Sequence, residues 1–535
     1  MKKSFAAALF GPAAALLLAV TPATAPARAE TPADVLVMAK NIDDIINLDP
    51  AEVFEFSGGE VIANIYDRIT MFEPEDLETL VGGVAEGWEI SEDGKTFTLK
   101  IREGLKFHSG NPVTAEDAAF SLQRVVILDK SPAFILTQFG WNADNVGDLI
   151  KALDDETLQL TVTEDFAPTL VLNALQAGVG SVVDKKLVLE HEQDGDLGYE
   201  WLKTNSAGSG AFVLKAWKAN ESVVLEANPD YRHGAPGVKR VIIRHVPEPA
   251  VRRLLVEKGD VDIARDLTTD QVSGVEGTAG LALVVSPKAQ LHYVSTNDLH
   301  PILGKPKVRQ ALRWLIDYQG MADSFLKGNF QIHQAFWPEG FYDALNDNPF
   351  HLDVAKAKEM LADAGYPDGF EVTMDAFNVS PQKEMAESIQ ATMAQAGIKV
   401  EILPAERKAV YTKHRARAHE LILSGWGPDY VDPHSNADSF ASNPDNREEA
   451  KLTGQLAWRA GWDMPEITAL TAEARKETDA EKRREMYLDL QRRVQEDGPF
   501  IIMFQGAEQN IQRDTVKGFV SGPNFDLVFY RNTTK

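Results

Sequence analysis

The stretch Phe370-Glu371-Val372-Thr373-Met374-Asp375-Ala376-Phe377 reads as a strand, Glu384 to Ala396 follows as a helix with Met385, Ile389 and Met393 in one stripe, and Ile398 to Leu403 is a second strand. That β-α-β order implies a parallel sheet, whose ligands gather beyond the carboxyl ends of the strands. Leu421-Ile422-Leu423 is a further short apolar strand. It is ended abruptly by Ser424-Gly425-Trp426-Gly427-Pro428-Asp429-Tyr430-Val431-Asp432-Pro433, which puts Trp426, Asp429 and Tyr430 at a strand-to-loop exit. An aromatic ring beside a carboxylate on such a rim can hold an amphipathic ligand, the ring covering an apolar part and the carboxylate pairing with an ammonium. The alternative for the same residues is a turn whose aspartate caps the next helix, with Trp426 filling the core.

At the amino terminus, Lys2 and Lys3 precede an apolar run from Phe5 to Val20, and Ala27-Arg28-Ala29 offers the small residues a signal peptidase reads. Residues 1–29 are therefore expected to be a cleaved signal peptide, with Glu30 starting the mature, exported chain. The sequence contains no cysteine, which excludes disulfides, thiolate metal sites and a lipid-modified cysteine at the cleavage point, and favours free diffusion in a periplasm. Without that leader 535 − 29 = 506 residues remain, which at ~150 residues per domain suggest three domains. The formal net charge of −26 repels phosphate backbones and anionic lipid, so neither nucleic acid nor a membrane surface is an expected partner.

Asp34 to Met38 has a short strand pattern, and Glu60 to Met71 places Val61, Ile62, Ile65 and Ile69 at helical spacing after a loop Phe54-Glu55-Phe56-Ser57-Gly58-Gly59. Trp88-Glu89-Ile90 and Thr96 to Ile101 read as a hairpin about Asp93-Gly94. Thr114-Ala115-Glu116-Asp117 opens a helix as a capping box.

The run from Trp88 through Lys95-Thr96-Phe97-Thr98-Leu99, Gly104-Leu105-Lys106-Phe107-His108-Ser109-Gly110 and Pro112-Val113-Thr114-Ala115-Glu116-Asp117 resembles the signature of the peptide and nickel family of extracellular solute-binding proteins, the receptors of ABC importers. Further blocks are similar in the same order: Asn228-Pro229-Asp230-Tyr231, Gly259-Asp260-Val261-Asp262-Ile263-Ala264, Lys307-Val308-Arg309-Gln310-Ala311-Leu312, and Ala364-Gly365-Tyr366-Pro367-Asp368-Gly369-Phe370. The resemblance implies an α/β, two-lobed periplasmic binding protein of type II-like architecture, hinged between its lobes and carrying an extra small third domain. Carried onto this chain, the first lobe combines residues 30–72, 204–285 and 506–535, the small domain is 73–203, and the second lobe is 286–505.

The resemblance also implies a function: capture of a di- or oligopeptide by lobe closure and delivery to permease and ATPase subunits at the inner membrane, by a monomer without cofactor. In peptide-binding members the motif resembling Ser424 to Pro433 carries an aspartate that pairs with the ligand's α-ammonium; Asp429 stands there, with Gly425 at the backbone step, Trp426 at a ring position and Tyr430 beside them. The Phe56 loop is expected on the opposite wall, its backbone meeting the peptide. The sequence departs from the pattern where a carboxylate would bind. Oligopeptide receptors have arginine where Leu423 stands and tryptophan where Arg407 stands, and their arginine-histidine pair is represented here by His414-Arg415 in reverse order. The groups left to meet a carboxylate are Arg407, His414, Arg415 and Lys383, with Asn378 and Gln382 as polar neighbours. These departures keep open a non-peptide ligand such as an oligosaccharide, an opine or a metal chelate.

No histidine pair has metal-binding spacing, and His414 and His419, five apart, are expected to diverge on a helix. Gly208-Ser209-Gly210 lacks a full nucleophile elbow, and neither a Walker loop nor a Rossmann fingerprint is present. Asp429 and Asp432 on one loop do not establish a glycosidase dyad. A periplasmic hydrolase is the least favoured reading.

Overall fold

Residues 31–73, 76–275 and 277–535 are described by a computed structural model of the chain; the expected signal peptide lies outside them. Among the described residues no helix is long and apolar enough to cross a membrane.

One sheet of eleven strands runs through both lobes. Its second-lobe half comprises Lys399–Ala405, Glu371–Phe377 and Leu421–Trp426, and its first-lobe half Ile263–Ala264, Val35–Lys40, Arg240–His245, Ser222–Ala227 and Phe212–Lys218. Two long strands, Leu281–Thr296 and Phe500–Arg513, join the halves. They pair with each other antiparallel from Leu281↔Arg513 to Pro287↔Ala507, shift register, and resume at Leu291↔Gln505. The expected lobe boundaries, 285/286 and 505/506, thus fall inside continuous strands rather than between elements. A bulge bends paired strands without ending their pairing, so the two strands continue past the shift as one ladder from lobe to lobe.

The β-α-β reading of the second lobe matches the structure: Glu371–Phe377 pairs parallel with Lys399–Ala405 and with Leu421–Trp426, and the helix between them is Gln382–Gln395. Met385, Ile389 and Met393 are buried on its inner face. The hairpin forms from Ala85–Ile90 and Thr96–Ile101, with Gly94 at φ +71° in its turn. Helix Ala115–Leu128 opens with the expected capping box, in which Asp117 accepts the Thr114 N–H at 2.9 Å.

The first helix lies elsewhere than expected. It spans Phe56–Ile65, and Thr70–Glu73 is a strand. Gly58 and Gly59 suggested a loop, but a Cβ on Gly59 would lie 2.1 Å from the Phe525 ring. Glycine serves close packing there, not chain reversal.

The small domain has its own core, built mainly from residues between Val84 and Val182, including Trp141, Phe139 and Leu122, and joined by Ala51, Ile69 and Tyr430. Val183, Val188 and Leu202 pack instead with Leu36, Ile62 and Ile243 in the first lobe. Arg124 joins the two through a buried bidentate pair to Asp49, one contact being 2.7 Å.

Where the lobes meet, buried charges form a continuous file. Lys40 pairs with Glu60, Glu60 with Arg265 at 2.8 Å, Arg265 with Glu508 at 3.0 Å, and Glu508 with Lys288 at 2.8 Å. Burial opposes ionisation of Glu60, but Arg265 and Lys40 more than offset it and hold its carboxyl at about 2. Removing one member leaves its partners buried and uncompensated. Arg265→Met is therefore expected to cost about 3 to 5 kcal/mol, measured by denaturant unfolding at neutral pH; a loss below about 1 kcal/mol, typical of exposed pairs, would refute this role.

Candidate ligand cleft

The charge file forms the floor of a cavity between the lobes with about 620 Å³ open to solvent-sized atoms. Asn41, Asp43, Asp44, Phe56 and Ser57 border it from the first lobe. From the second come His292, Phe330, Gln382, Arg407 and the loop Gly427-Pro428-Asp429. Pro523 to Phe525 closes one side.

Phe56 is the first residue of its helix and is 58 % exposed, its ring edge-on to Phe525 at 5.7 Å. Asp44 accepts the Ser57 N–H at 2.9 Å, satisfying one of the free donors at that helix start. The first-lobe wall is thus a helix terminus stiffened by a neighbouring loop.

The strand Leu421–Trp426 continues three residues beyond its apolar run, so Gly425 and Trp426 are strand residues paired opposite His292 and Leu291. Trp426 packs on the second-lobe core, 6.4 Å from the Phe440 ring and with Arg459 5.7 Å from its own. It does not border the cavity; the backbone of the following loop carries the chain to the rim. There the two aspartates separate in role. Asp432 caps helix Pro433–Ala441, accepting the His434 N–H at 2.9 Å, and binds Arg483 at 2.7 Å. Asp429 is held only by its backbone N–H, which donates to Ser435 Oγ at 2.8 Å. Its carboxylate has no hydrogen bond or ion pair to any described residue and borders the cleft.

Other expected site residues lie away from the cavity. Tyr430 is 3 % exposed and sits in the small-domain core, its hydroxyl 3.4 Å from Gln138 Oε1, so it cannot reach a ligand. His414 is fully buried; a turn with Arg417 at φ +56° brings its ring to 4.8 Å from His419, where the sequence suggested divergence. All four nitrogens of this pair lack hydrogen-bond partners. Burial and then the neighbouring His419 keep His414 well below its ordinary value, and burial with the charge of Lys413 lowers His419 as well, so both rings stay neutral. Arg415, Asn378 and Lys383 are exposed and do not border the cavity. Arg407 does, at the start of helix Arg407–Arg415 and 5.1 Å from the Phe377 ring. Among the described residues no group of three or more metal-ligating side chains converges.

Residues 79–448 match the model of bacterial extracellular solute-binding proteins, family 5 Middle. The chain belongs to this family. This family 5 protein is 29% identical over 516 residues to the probable D,D-dipeptide-binding periplasmic protein DdpA of Escherichia coli K12, covering 95% of each chain. It is 27% identical over 500 residues to di/tripeptide-binding protein 1 of Pseudomonas aeruginosa, covering 89% of this chain and 90% of the relative. The periplasmic binding protein DppA of Helicobacter pylori, solved with the peptide STSA, is similar at 25% identity and a TM-score of 0.76, over 94% of this chain and 98% of that one.

Sequence reading did not single out His292 and Phe330, which border this cavity. A histidine inside Leu291-His292-Tyr293-Val294 is the available signal, since a polar residue in a buried strand needs a partner or an opening.

Burial, reinforced by Asp438 and only partly relieved by Arg459, pushes the Asp429 carboxyl up to about 7 from an ordinary 3.8. The folded protein then holds a proton that the unfolded chain has already lost, so stability falls as pH rises from about 4 through about 7. Asp429→Asn is expected to exceed wild type in stability at pH 8 by about 1 to 2 kcal/mol, less than the full shift because the carboxylate keeps water contact. The difference should vanish at pH 4, as read from unfolding curves at both pH values; equal stability at pH 8 would refute it.

Proposed function

We propose that this family 5 protein is the periplasmic substrate-binding protein of an ABC importer, capturing a short peptide between its lobes and delivering it to the membrane permease. The observation that carries the peptide reading is Asp429, a half-buried carboxylate at the cleft rim with no ion-pair partner among the described residues. An α-ammonium arriving there supplies the missing partner, and a charge-assisted bond in such a site is strong. The named ligands of the similar proteins, which are dipeptides, di- and tripeptides and the peptide STSA, support it.

The mechanism is capture by population shift. A ligand held on Asp429 and then touched by the Phe56 helix start makes contacts in the closed form that it lacks in the open one, and only such differential contact moves the equilibrium. Gly427 and Pro428 offer main chain along the same rim, so the backbone of an extended peptide has groups to pair with. We read the site as one of binding without turnover.

Native mass spectrometry of protein purified from its own periplasm, followed by denaturation to release ligand, tests this reading. A heterogeneous set of short peptide masses is expected, whereas a single non-peptide mass would overturn the peptide assignment. Asp429→Asn should then weaken a free-amine peptide by roughly 2 to 5 kcal/mol while leaving its N-acetylated form unaffected, measured by calorimetry; unchanged affinity for the free amine would remove Asp429 from that role.

A further inference from the structure

One stretch of the second lobe runs against the charge of the chain. The sequence has 80 acidic residues against 54 basic ones, yet Arg407 to His419 holds Arg407, Lys408, Lys413, Arg415 and Arg417 and no carboxylate. Most of it is the helix Arg407–Arg415, which follows Lys399–Ala405, the strand at the second-lobe end of the large sheet. Lys413 is committed to Asp375 at 2.7 Å, and Arg417 donates to the Asn446 carbonyl at 2.8 Å with its guanidinium 4.6 Å from the Trp458 ring. Lys408 and Arg415 are exposed and have no acidic partner among the described residues.

These two cations stand seven residues apart, which places them on one face of the helix, roughly 10 Å from each other along its axis. Ala409, Thr412 and Ala416 are exposed beside them and, with Glu406, Lys408 and Lys413, line an open groove of about 580 Å³. Such small side chains let another backbone come close. Helix stability does not account for the charges. The helix dipole favours cations in the last turn, which covers Lys413 and Arg415, but Lys408 is the second residue of the helix, where the positive end opposes a cation. Ligand contact does not account for them either, since neither Lys408 nor Arg415 borders the cleft cavity. An exposed cation held where its own helix disfavours it answers to something outside the chain.

We infer that this helix face is a docking surface for the membrane permease, taking an acidic segment whose carboxylates meet Lys408 and Arg415 and whose backbone lies over Ala409, Thr412 and Ala416, an assignment that rests on the importer reading above. A protein segment can hold two carboxylates at a fixed spacing over a narrow groove. An anionic lipid surface presents diffuse charge, from which the net charge of −26 pushes the rest of the molecule away. Within so acidic a receptor a local basic face sets the orientation of approach more than the strength of the complex. The helix starts with Arg407 at the cleft border and belongs to the second lobe. A permease that touches both lobes therefore engages this face fully only at the closed spacing.

The test is photo-crosslinking in cells of the native host, with a benzophenone amino acid placed at Thr412, at Ala416 or, on the first lobe, at the exposed Ile46. From Thr412 and Ala416 the expected adduct is with a permease subunit, identified by mass. Lys408→Glu and Arg415→Glu should each lower its yield at least about fivefold, while Lys358→Glu, the same charge change at an exposed lysine elsewhere on the lobe, leaves it unchanged. The small-molecule masses that each purified variant releases on denaturation should match wild type, which separates docking from capture. Permease adducts from Ile46 but from neither helix position, or yields that ignore both charge reversals, overturn the docking face and leave the importer reading standing. Salt-sensitive binding of the purified protein to permease-free phosphatidylglycerol vesicles, abolished by the same reversals, assigns the face to lipid and overturns it too. Absence of a permease adduct from all three positions removes the importer reading and the docking face with it.

Discussion

The file Lys40, Glu60, Arg265, Glu508 and Lys288 is the interaction on which the rest depends. Glu60, Arg265 and Glu508 are buried, and a neighbour of opposite sign at hydrogen-bond distance on either side makes that tolerable. The members come from separate parts of the chain: the end of the first strand, the first helix, the residue after Ala264 and the two long strands beside their register shift. The file therefore fixes the corner at which the sheet passes from one lobe to the other. It also spends the floor's charges on each other. On the walls, by contrast, Asp429 and Arg407 have no ion-pair partner among the described residues.

How much of this was legible in the sequence follows the range of the forces involved. The parallel unit around Phe370 and the capping box at Thr114 are local patterns, and both are present as read. The helix Phe56–Ile65 was misplaced because the reason for Gly59 is a ring 466 positions away in the sequence, that of Phe525. Of the two aspartates in the motif, spacing could not say which caps the helix and which faces the cleft; the hydrogen bond from His434 assigns the cap to Asp432. His414 and Arg415 looked like ligand groups by their place in a resembling segment. A helix that ends at Arg415 and a left-handed Arg417 turn the histidine inward, which only the folded chain reveals.

The same limit explains why His292 was missed and Gln382 was named only as a polar neighbour. They belong to different elements, a strand and a helix start, and each is unremarkable alone. What marks them is a shared lack of partners around one cavity. That property exists only after the second-lobe sheet has brought Leu281–Thr296 beside Leu421–Trp426 and set the helix across its end.

Tyr430 stands one residue beyond Asp429, yet its ring is packed among side chains of the small domain, with Asp432 nearby bonded to Asn173 at 3.2 Å. The rim of the ligand site and the core of another domain are thus joined by a single peptide link. Any swing that separates the second lobe from the small domain must either extract that ring, forfeiting roughly 2 kcal/mol of apolar burial, or carry the small domain along. The small domain consequently acts as ballast on the hinge: its packing quality enters the receptor's affinity through the free energy of the open state, although none of its described residues borders the cleft cavity.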